Sequence, residues 1–281
     1  MEAQQNEIVR QQKETWNKFS RGWKKWDDLV MEFSKPMGEK IIDALALTHD
    51  SFVLDIASGT GEPALSIAAR LKTGRVIATD ISEGMLEVAD EHAHKRGIKN
   101  FETQLADVFD LPFSDNTFDA VSCRFGFMFF PDMKAALREI VRVLKPGGRI
   151  ATTVWGPPEK NPWISAMMAA LGKNMELPAP LPDTPSIFRC APEGMMEELF
   201  KQSGLKKVNA TEVSSELKIG TFDNYWTLMN EVAAPVVAAM EKADTATKSK
   251  IRQDLYDLIT ARQTDGHIKF TGTAILISGE K

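Results

Sequence analysis

The sequence has few of the residues that build metal sites and disulfide frameworks. Its 281 residues include two cysteines and four histidines. Cys123 and Cys190 do not have the spacing of a metal motif, and His92 and His94, two apart on a predicted helix, point in different directions. We therefore expect no metal site, and a cytoplasmic, reduced protein whose thiols are buried.

An excess of basic charge and long apolar runs are also missing. Asp and Glu outnumber Lys and Arg by 39 to 34, which gives a net charge of −5 and no general attraction to nucleic acid. No apolar run is long enough to span a membrane, and the polar N-terminus does not resemble a signal peptide. We expect a small-molecule partner, no nucleic acid and no integral membrane contact. The sequence does not indicate an oligomeric state.

The most informative segment that is present runs from Val53 to Leu65. An apolar, β-branched stretch is followed by Gly59 and Gly61 and then by a helical pattern, which predicts a strand, a tight loop and a helix. A second apolar stretch, Arg75–Thr79, ends at Asp80, about 20 residues beyond the glycines, where an acid can bind ribose hydroxyls. The pattern predicts an adenosine-containing cofactor at the carboxyl end of a parallel sheet.

Two cofactors fit this pattern. Residues Gly59–Ala64 match the dinucleotide fingerprint G-x-G-x-x-A, which allows an NAD-dependent oxidoreductase. A helix N-terminus favours the diphosphate of NAD, but here Glu62 stands at that N-terminus and Asp55 just before the loop. The two carboxylates suit a ligand that carries an ammonium and a sulfonium group. We therefore favour S-adenosylmethionine and keep NAD as the alternative.

Further motifs follow in a fixed order. Ala106–Val108 follows a third predicted strand, Phe101–Leu105. Residues 111–119 form a turn into a fourth strand, and Leu144–Arg149 ends a helix and begins a fifth strand. With these motifs, residues 51–156 resemble the class I S-adenosylmethionine-dependent methyltransferases, near the group of ubiquinone/menaquinone-biosynthesis methyltransferases. The remainder of the chain resembles that family only loosely.

Predicted strands and helices alternate from Ser51 to about Trp155, which is typical of a parallel sheet covered by helices. With two later strands, we predict an α/β fold: a doubly wound, mostly parallel, seven-stranded Rossmann-like sheet with N-terminal helices and a C-terminal helical insertion. Residues 1–48 are expected to form a helical lid, and residues 49–281 the methyltransferase domain with its insertion at about 221–264. Outside the alternation we predict helices over Glu2–Phe33, Gly38–Leu47 and Pro192–Ser203, strands over Leu205–Ile219 and His267–Ser278, a mostly helical Phe222–Arg262 and an irregular Gly156–Pro185.

The resemblance implies that cofactor contacts come from the ends of the first four strands. Asp55 corresponds to the acid that reaches the ammonium group, Asp80 to the ribose acid and Asp107 to a residue at the adenine edge. Where the family often has glycine this chain has Ala57, and alanine costs little there unless its φ is positive. The predicted cofactor-binding residues are Asp55, Ala57, Ser58, Gly59, Thr60, Gly61, Asp80, Ile81, Met85, Asp107, Val108, Cys123 and Arg124.

Aromatic residues at helical spacing in the N-terminal segment, and an apolar block after the fourth strand, predict the surroundings of the acceptor. Such a stripe usually packs in a core, and the basic residues beside it also allow a helix on a membrane surface. We favour a lid that closes over the cofactor, as in relatives of the resembled fold. The predicted pocket residues are Trp16, Trp23, Phe127, Met128, Trp155, Trp163 and Trp226.

These features predict methyl transfer from S-adenosylmethionine to a small, apolar or aromatic metabolite by direct in-line displacement, with no catalytic residue identified. Carbon methylation of a quinone precursor is an alternative. The resembled quinone enzymes carry an arginine and an asparagine where this chain has Phe127–Phe130, which argues against it. A non-catalytic protein that only binds S-adenosylmethionine is the alternative from another class.

Overall fold

The computed structural model describes residues 2–177, 184–261 and 267–281. Its strands are β1 (Phe52–Ile56), β2 (Arg75–Asp80), β3 (Phe101–Leu105), β4 (Phe118–Arg124), β5 (Leu144–Trp155), β6 (Lys206–Gly220) and β7 (Ile268–Glu280). They form one seven-stranded sheet in the order β3-β2-β1-β4-β5-β7-β6. Strands β1 to β5 run parallel, and β7 is antiparallel to both β5 and β6. The predicted fold class is confirmed.

Both faces of the central strands are covered. Val53, Leu54 and Asp55 are consecutive in β1 and fully buried, and Ala120 and Val121 are buried neighbours in β4. A run of buried neighbours means that other elements pack on each side of the strand. The helices are α1 (Glu2–Lys25), α2 (Asp27–Leu45), α3 (Ala64–Arg70), α4 (Glu83–Arg96), α5 (Met133–Val143), α6 (Pro162–Asn174), α7 (Met195–Gln202), α8 (Phe222–Val232), α9 (Ala234–Lys242) and α10 (Thr245–Thr260).

The first two helices break at a different place from the predicted one. The sequence predicts one helix that ends at Phe33 and another that begins at Gly38. In the structure α1 ends at Lys25, Trp26 forms the junction with φ −100° and ψ 10°, and α2 continues through Pro36. The break predicted near the proline is therefore wrong.

Packing on the sheet holds α2 together across its proline. Phe33, Met37 and Ile41 recur at every fourth position and are buried, and α2 contacts β4, β5, β6 and β7. Burial of each such side chain contributes about 1.5–3 kcal/mol, which offsets the roughly 3 kcal/mol cost of a proline inside a helix. Helix α2 therefore belongs to the core, whereas α1 packs on α2, α4 and α8.

Two connections also differ from the prediction. Residues 106–117, which join β3 to β4, form turns and contain no helix, so one of the expected strand–helix repeats is incomplete. The segment Gly156–Pro185, expected to be irregular, contains α6, and its residues 178–183 lie outside the described part of the chain. Helix α6 begins at Pro162, a position where a missing N–H costs nothing. A high proline content therefore did not exclude a helix.

The later elements lie close to their predicted positions. Strands β6 and β7 pair antiparallel, and α8, α9 and α10 lie between them along the chain. The predicted helical segment begins at Phe222 as expected, and its predicted end at Arg262 falls outside the described residues. Among the helices described, none combines the length and the apolar character that crossing a membrane requires.

Candidate functional site

A cavity of about 970 Å³ lies at the carboxyl ends of β1, β2 and β4. One wall, here called the loop side, consists of residues 56–60, 79–81 and 106–109. The opposite wall, here called the aromatic side, comes from α1, α2, α6, α8, α9, the end of β5 and the segment after β4. Doubly wound sheets bind ligands at this edge, so the cavity is where an active site is expected.

The two glycines of the loop after β1 have different structural roles. Gly59 has a φ of +54°, and a Cβ placed on it would meet no atom within 4 Å. Gly61 has a φ of +106°, and a Cβ there would lie 2.8 Å from Leu65 Cδ1. Gly59 therefore leaves space for a ligand, whereas Gly61 lets the loop pack on α3. Gly61 does not line the cavity, although the sequence predicts a cofactor contact there.

Ala57 adopts a backbone conformation that favours glycine. Its φ is +53°, so the condition under which alanine is costly is met. A left-handed conformation costs an L-residue about 1–2 kcal/mol. The close neighbour on this side is Gly126, because a Cβ placed on Gly126 would lie 2.8 Å from Ala57 Cβ. The methyl group at 57 is thus accommodated by the absence of a side chain at 126.

Asp80 is held with its carboxylate at the loop side of the cavity. Its Oδ2 accepts from the Gly59 N–H and its Oδ1 from the Ser82 N–H, each at 2.9 Å. Ser82 in turn caps α4, because its Oγ accepts from the Met85 N–H at 3.2 Å. Burial raises the pKa of Asp80 above its ordinary value. Its remaining lone pairs can accept from two neighbouring hydroxyls.

Asp55 lies below the loop rather than in the cavity wall. It is fully buried, and its Oδ1 accepts from Ser122 Oγ at 2.5 Å. No donor among the described residues reaches its Oδ2. Burial raises the pKa of Asp55 to about 7. Asp55 therefore does not line the cavity, and a contact of its carboxyl with a ligand through water, as the family often makes it, stays a prediction.

The remaining predicted cofactor residues divide into two groups. Cys123 is fully buried and outside the cavity lining, and burial raises the pKa of its thiol well above the ordinary value. Arg124 lines the cavity and donates to Ser34 Oγ and, over 3.2 Å, to Met31 Sδ. The others, all in the loop-side wall or beside it, are Ser58, Thr60, Ile81, Met85, Asp107 and Val108.

Five of the seven predicted pocket residues line the cavity. Trp16 and Trp23 on α1 are 6.2 Å apart between ring centroids, and Trp16 meets Phe129 at 5.1 Å. Trp155 and Trp163 pack together at 5.0 Å. No described residue accepts from Trp23 Nε1, which is a buried donor. The fifth is Met128, which is almost completely buried.

Phe127 and Trp226 lie away from the cavity, in contrast to the prediction. Phe127 belongs to the short 3₁₀ turn Phe127–Phe129 and packs on Phe130 and Phe200 in the core. Trp226 stacks on Phe222, and the Arg252 guanidinium lies 6.0 Å from its ring. In a turn, neighbouring side chains point in different directions, so an apolar run does not identify which members face a ligand.

The sequence analysis did not identify several residues of the aromatic side. Phe125 has a φ of +61° and stacks on Trp155 with centroids 4.1 Å apart. Phe33 also stacks on Trp155, at 5.6 Å, and Met31 and Ser34 lie beside it on α2. The spacing of three between Met31 and Ser34 would place both side chains on one face of a continuous helix. The predicted helix ended at Phe33, so this shared face was not recognised.

Helix α1 contacts α4 on one side of the cavity and α8 on the other. Asn17 Oδ1 accepts from Ser82 Oγ at 2.7 Å and from the Gly84 N–H at 3.1 Å, which ties α1 to the start of α4. A Cβ placed on Gly22 would lie 2.4 Å from the Glu231 carbonyl oxygen, so α1 and α8 touch through their backbones. Helix α1 thus covers the cavity between two elements that carry its opposite walls.

A second polar cluster joins α2 to the glycine loop. Thr60 Oγ1 donates to Asp27 Oδ1 at 2.8 Å, and His92 Nδ1 donates to the Thr60 carbonyl oxygen at 3.0 Å. Burial raises the pKa of Asp27 above its ordinary value. The first turn of α2 is therefore bonded to the loop that would lie beneath a ligand.

Comparisons with known proteins identify the family. A family model described as a methyltransferase domain matches residues 53–148. A demethylmenaquinone methyltransferase of Bacteroides fragilis is 31% identical over 193 residues, which cover 64% of this chain and 78% of that protein. This chain belongs to the class I S-adenosylmethionine-dependent methyltransferases. The predicted family and its cofactor, S-adenosylmethionine, are thereby confirmed.

Other relatives match a smaller part of the chain or share only the fold. A demethylmenaquinone methyltransferase of Thermus thermophilus is 42% identical over 108 residues, 38% of this chain and 49% of that protein. The chain thus spans about half the length of that curated relative. The structure of the YcgJ protein from Bacillus subtilis has a TM-score of 0.57 and 24% identity, and the match covers 88% of this chain and 98% of that one.

The side chains of the loop side fit S-adenosylmethionine. The open space at Gly59 admits a ligand close to the backbone, and the Asp80 carboxylate is aimed at that space. The buried Asp55 Oδ2 and Trp23 Nε1 are polar atoms that no described residue satisfies. Unpaired buried polar atoms are costly, and Trp23 belongs to the cavity wall, so its Nε1 indicates a polar ligand there.

Proposed function

We propose that the protein transfers a methyl group from S-adenosylmethionine to a small, largely apolar or aromatic acceptor. The observation that carries this proposal is a shared cavity, in which the hydrogen-bonded loop side faces the aromatic side. One wall offers a ribose-binding acid, and the other offers rings and aliphatic side chains. A two-substrate reaction needs both kinds of surface within one enclosed space.

On the loop side, Asp80 accepts from the ribose hydroxyls, and Gly59 allows the ligand to approach the backbone. Ile81, Met85 and Val108 provide apolar surface for the adenine. The cofactor supplies an activated methyl group on a sulfonium. The task left to the protein is to orient the acceptor and to exclude water, and orientation contributes roughly 7–11 kcal/mol in favourable systems.

On the aromatic side, rings from distant parts of the chain shape the acceptor space. Trp16 on α1, Phe33 on α2 and Trp163 on α6 line it together with Trp155 at the end of β5. Such a lining favours a flat, apolar molecule, because aromatic rings pack best in offset-stacked or edge-to-face geometries. The net charge of −5 makes a nucleic-acid substrate unfavourable.

We further propose that α1, rather than the whole segment 1–48, is the lid. It covers the cavity, and it is joined to α4 by the two bonds accepted by Asn17 and by the ion pairs of Lys13 with Glu83 and of Lys24 with Glu91. These ion pairs lie at the exposed surface, where such pairs contribute little to stability, whereas opening α2 would expose the buried Phe33 and Met37. Lid closure over a sulfonium would exclude competing water.

Carbon methylation of a quinone precursor is the second candidate. The curated relatives from Thermus thermophilus and Bacteroides fragilis are named for the methylation of demethylmenaquinone. The aromatic side would suit a quinone ring. Against this, the run Phe127–Phe130 stands where the resembled quinone enzymes carry an arginine and an asparagine.

Calorimetry with S-adenosylmethionine and, separately, with NAD tests the cofactor assignment. Wild-type protein should bind the first and not the second. Asp80→Ala should weaken binding roughly ten- to a hundredfold, because it removes hydrogen bonds to a charged group. An unchanged dissociation constant in an Asp80→Ala protein that melts normally would contradict the ribose role.

Turnover separates an enzyme from a protein that only binds the cofactor. S-adenosylhomocysteine should accumulate when the protein is incubated with S-adenosylmethionine and a panel of small aromatic metabolites that includes demethylmenaquinone. Product with RNA or a protein substrate, and with no member of the panel, would overturn the proposed acceptor class.

A further inference from the structure

Arg124, the last residue of β4, is a partly buried cation in the cavity wall with weak partners. Its guanidinium donates to Ser34 Oγ and, over 3.2 Å, to Met31 Sδ. In the part of the chain that the structure describes, it forms no ion pair with a carboxylate. A thioether is a weak acceptor, and the guanidinium has five N–H groups. The remaining N–H groups are available to a molecule inside the cavity.

Arg124 lies where the two walls of the cavity meet. On one side, Gly126 packs against Ala57 of the glycine loop. On the other side, Phe125 stacks on Trp155. Phe33, which precedes the Arg124 partner Ser34 in α2, stacks on the same tryptophan ring. The guanidinium is therefore placed between the region that suits the cofactor and the region that suits the acceptor.

A partly buried charge without an ion-pair partner is destabilising, and an arginine does not escape this cost by losing its proton. Burial lowers the pKa of Arg124 and the carboxyls of Glu62, Asp55 and Asp27 oppose that shift, so the guanidinium stays charged. The bound cofactor would bring a second positive charge, its sulfonium, to the same region. An anionic acceptor would be attracted by the sulfonium and could pair with the guanidinium N–H groups that donate to neither Ser34 nor Met31, whereas a neutral acceptor would leave those N–H groups without a charged partner.

We propose that Arg124 binds an oxyanion of the methyl acceptor. The acceptor is then an apolar or aromatic molecule with a phenolate, enolate or carboxylate oxygen, which the planar guanidinium fork binds with two N–H groups. This inference rests on the proposed methyl transfer and narrows it. A nearby guanidinium favours the ionised form of an acidic acceptor, so the aromatic side does not need a general base to remove its proton.

The charges balance in such a transfer. An electron pair of the oxyanion forms the new O–CH₃ bond while the S–CH₃ bond breaks and leaves its pair on sulfur. The negative charge on oxygen and the positive charge on sulfur disappear together, so no further reactant is needed. Where a conjugated ring carbon attacks instead, that carbon afterwards loses its proton to water.

The test uses two probes of nearly equal shape, 1-naphthoate and the neutral 1-naphthamide, on full-length protein saturated with S-adenosylhomocysteine. Saturation fills the site of the cofactor's own carboxylate, so any preference for the anion comes from the acceptor space. Wild-type protein should bind naphthoate roughly ten- to a hundredfold more tightly than naphthamide. Arg124→Gln should bind both probes with similar affinity, and Arg124→Lys should keep part of the preference.

A second pair of probes separates the acceptor from the cofactor as the source of the anion. S-adenosylhomocysteine has a carboxylate, and 5′-methylthioadenosine does not. If Arg124→Gln weakens only the first of these by tenfold or more, the guanidinium binds the cofactor and the inference is overturned. Wild-type protein without a preference for naphthoate overturns it as well, whether or not the variant folds. Failure of wild-type protein to bind S-adenosylhomocysteine would instead contradict the proposed function.

Discussion

The loop side and the aromatic side of the cavity are held together in different ways. On the loop side, Asp80 and Ser82 are fixed by directional hydrogen bonds to nearby backbone. On the aromatic side, Phe33, Trp155 and Trp163 come from three separate elements and touch ring to ring at 5.0 to 6.0 Å. Directional bonds define one ligand, whereas apolar packing is non-directional and adapts to several shapes. In the proposed reaction, cofactor recognition is thus local along the chain, and acceptor recognition draws on several separate elements.

The largest expected effect comes from a change on the loop side alone. Gly59→Val should abolish binding of S-adenosylmethionine, because a branched side chain would fill the open space above the loop and resist the φ of +54°. Calorimetry measures the binding, and thermal melting checks the fold.

Gly97→Val is a matched control for this experiment. Gly97 also has a positive φ, +67°, with no atom within 4 Å of an added Cβ, but it ends α4 and does not line the cavity. This variant should lose comparable stability and keep the wild-type dissociation constant. Equal cofactor affinity in the two variants would mean that the loop at Gly59 is only a connector.

Removal of residues 1–25 should reduce methyl transfer strongly, because it takes away part of the aromatic side. Cofactor binding should change less, because the loop side comes from other residues. Without α1 the cavity loses Trp16 and Trp23 but keeps the buried face of α2, so the sheet should remain folded. We expect turnover to fall roughly tenfold or more, since water reaches the reacting groups. Hydrogen exchange adds a direct measurement on the full chain. Amides of α1 that exchange equally fast with and without S-adenosylhomocysteine would identify α1 as a fixed element.

The buried carboxyl of Asp55, below the loop, predicts that the free energy of unfolding depends on pH. The pKa of Asp55 is raised by burial from an ordinary value of 3.8 to about 7. Between these values the unfolded chain is ionised at this residue and the folded chain is not, so the free energy of unfolding falls as pH rises, by about 1 kcal/mol per pH unit. Asp55→Asn should remove this contribution. Parallel melting curves of the two proteins from pH 5 to pH 7 would contradict the raised pKa.

The smallest expected effect concerns the strained backbone of the loop. Ala57→Gly should raise the free energy of unfolding by about 0.5–1 kcal/mol, because glycine adopts a positive φ without a steric cost. Ala68→Gly, inside α3, should lower it by a similar amount, because a helix interior favours alanine. Chemical denaturation measures both. A destabilised Ala57→Gly protein would mean that the methyl contact with Gly126 outweighs the strain.

The same comparison explains what the sequence could predict. The loop after β1 and the acid at the end of β2 follow from short-range patterns, since strand, glycine and acid lie within 30 residues of one another along the chain. The seven-stranded sheet followed from the same alternation. The pattern did not show that Asp55, inside the strand, would be fully buried and absent from the cavity wall.

The aromatic side was harder to predict because tertiary packing decides it. Proline normally ends a helix, so the continuation of α2 through Pro36, and with it the position of Met31 and Ser34, was not expected. In the run after β4, the positive φ of Phe125 turns its ring onto Trp155 while Phe127 goes into the core. The apolar sequence of this run does not indicate which of its side chains faces the cavity and which packs in the core.

The antiparallel pairing of the last two strands has a consequence for the diversification of this fold. Gly220, which ends β6, and Ile268, which begins β7, are partners in the ladder. The chain therefore leaves and rejoins the sheet at neighbouring points, and all of α8, α9 and α10 lies between them. A segment anchored in this way can be lengthened, shortened or exchanged at a small entropic cost to the sheet. The part of the aromatic side that α8 and α9 supply can in this sense be exchanged while the sheet and the loop side stay unchanged.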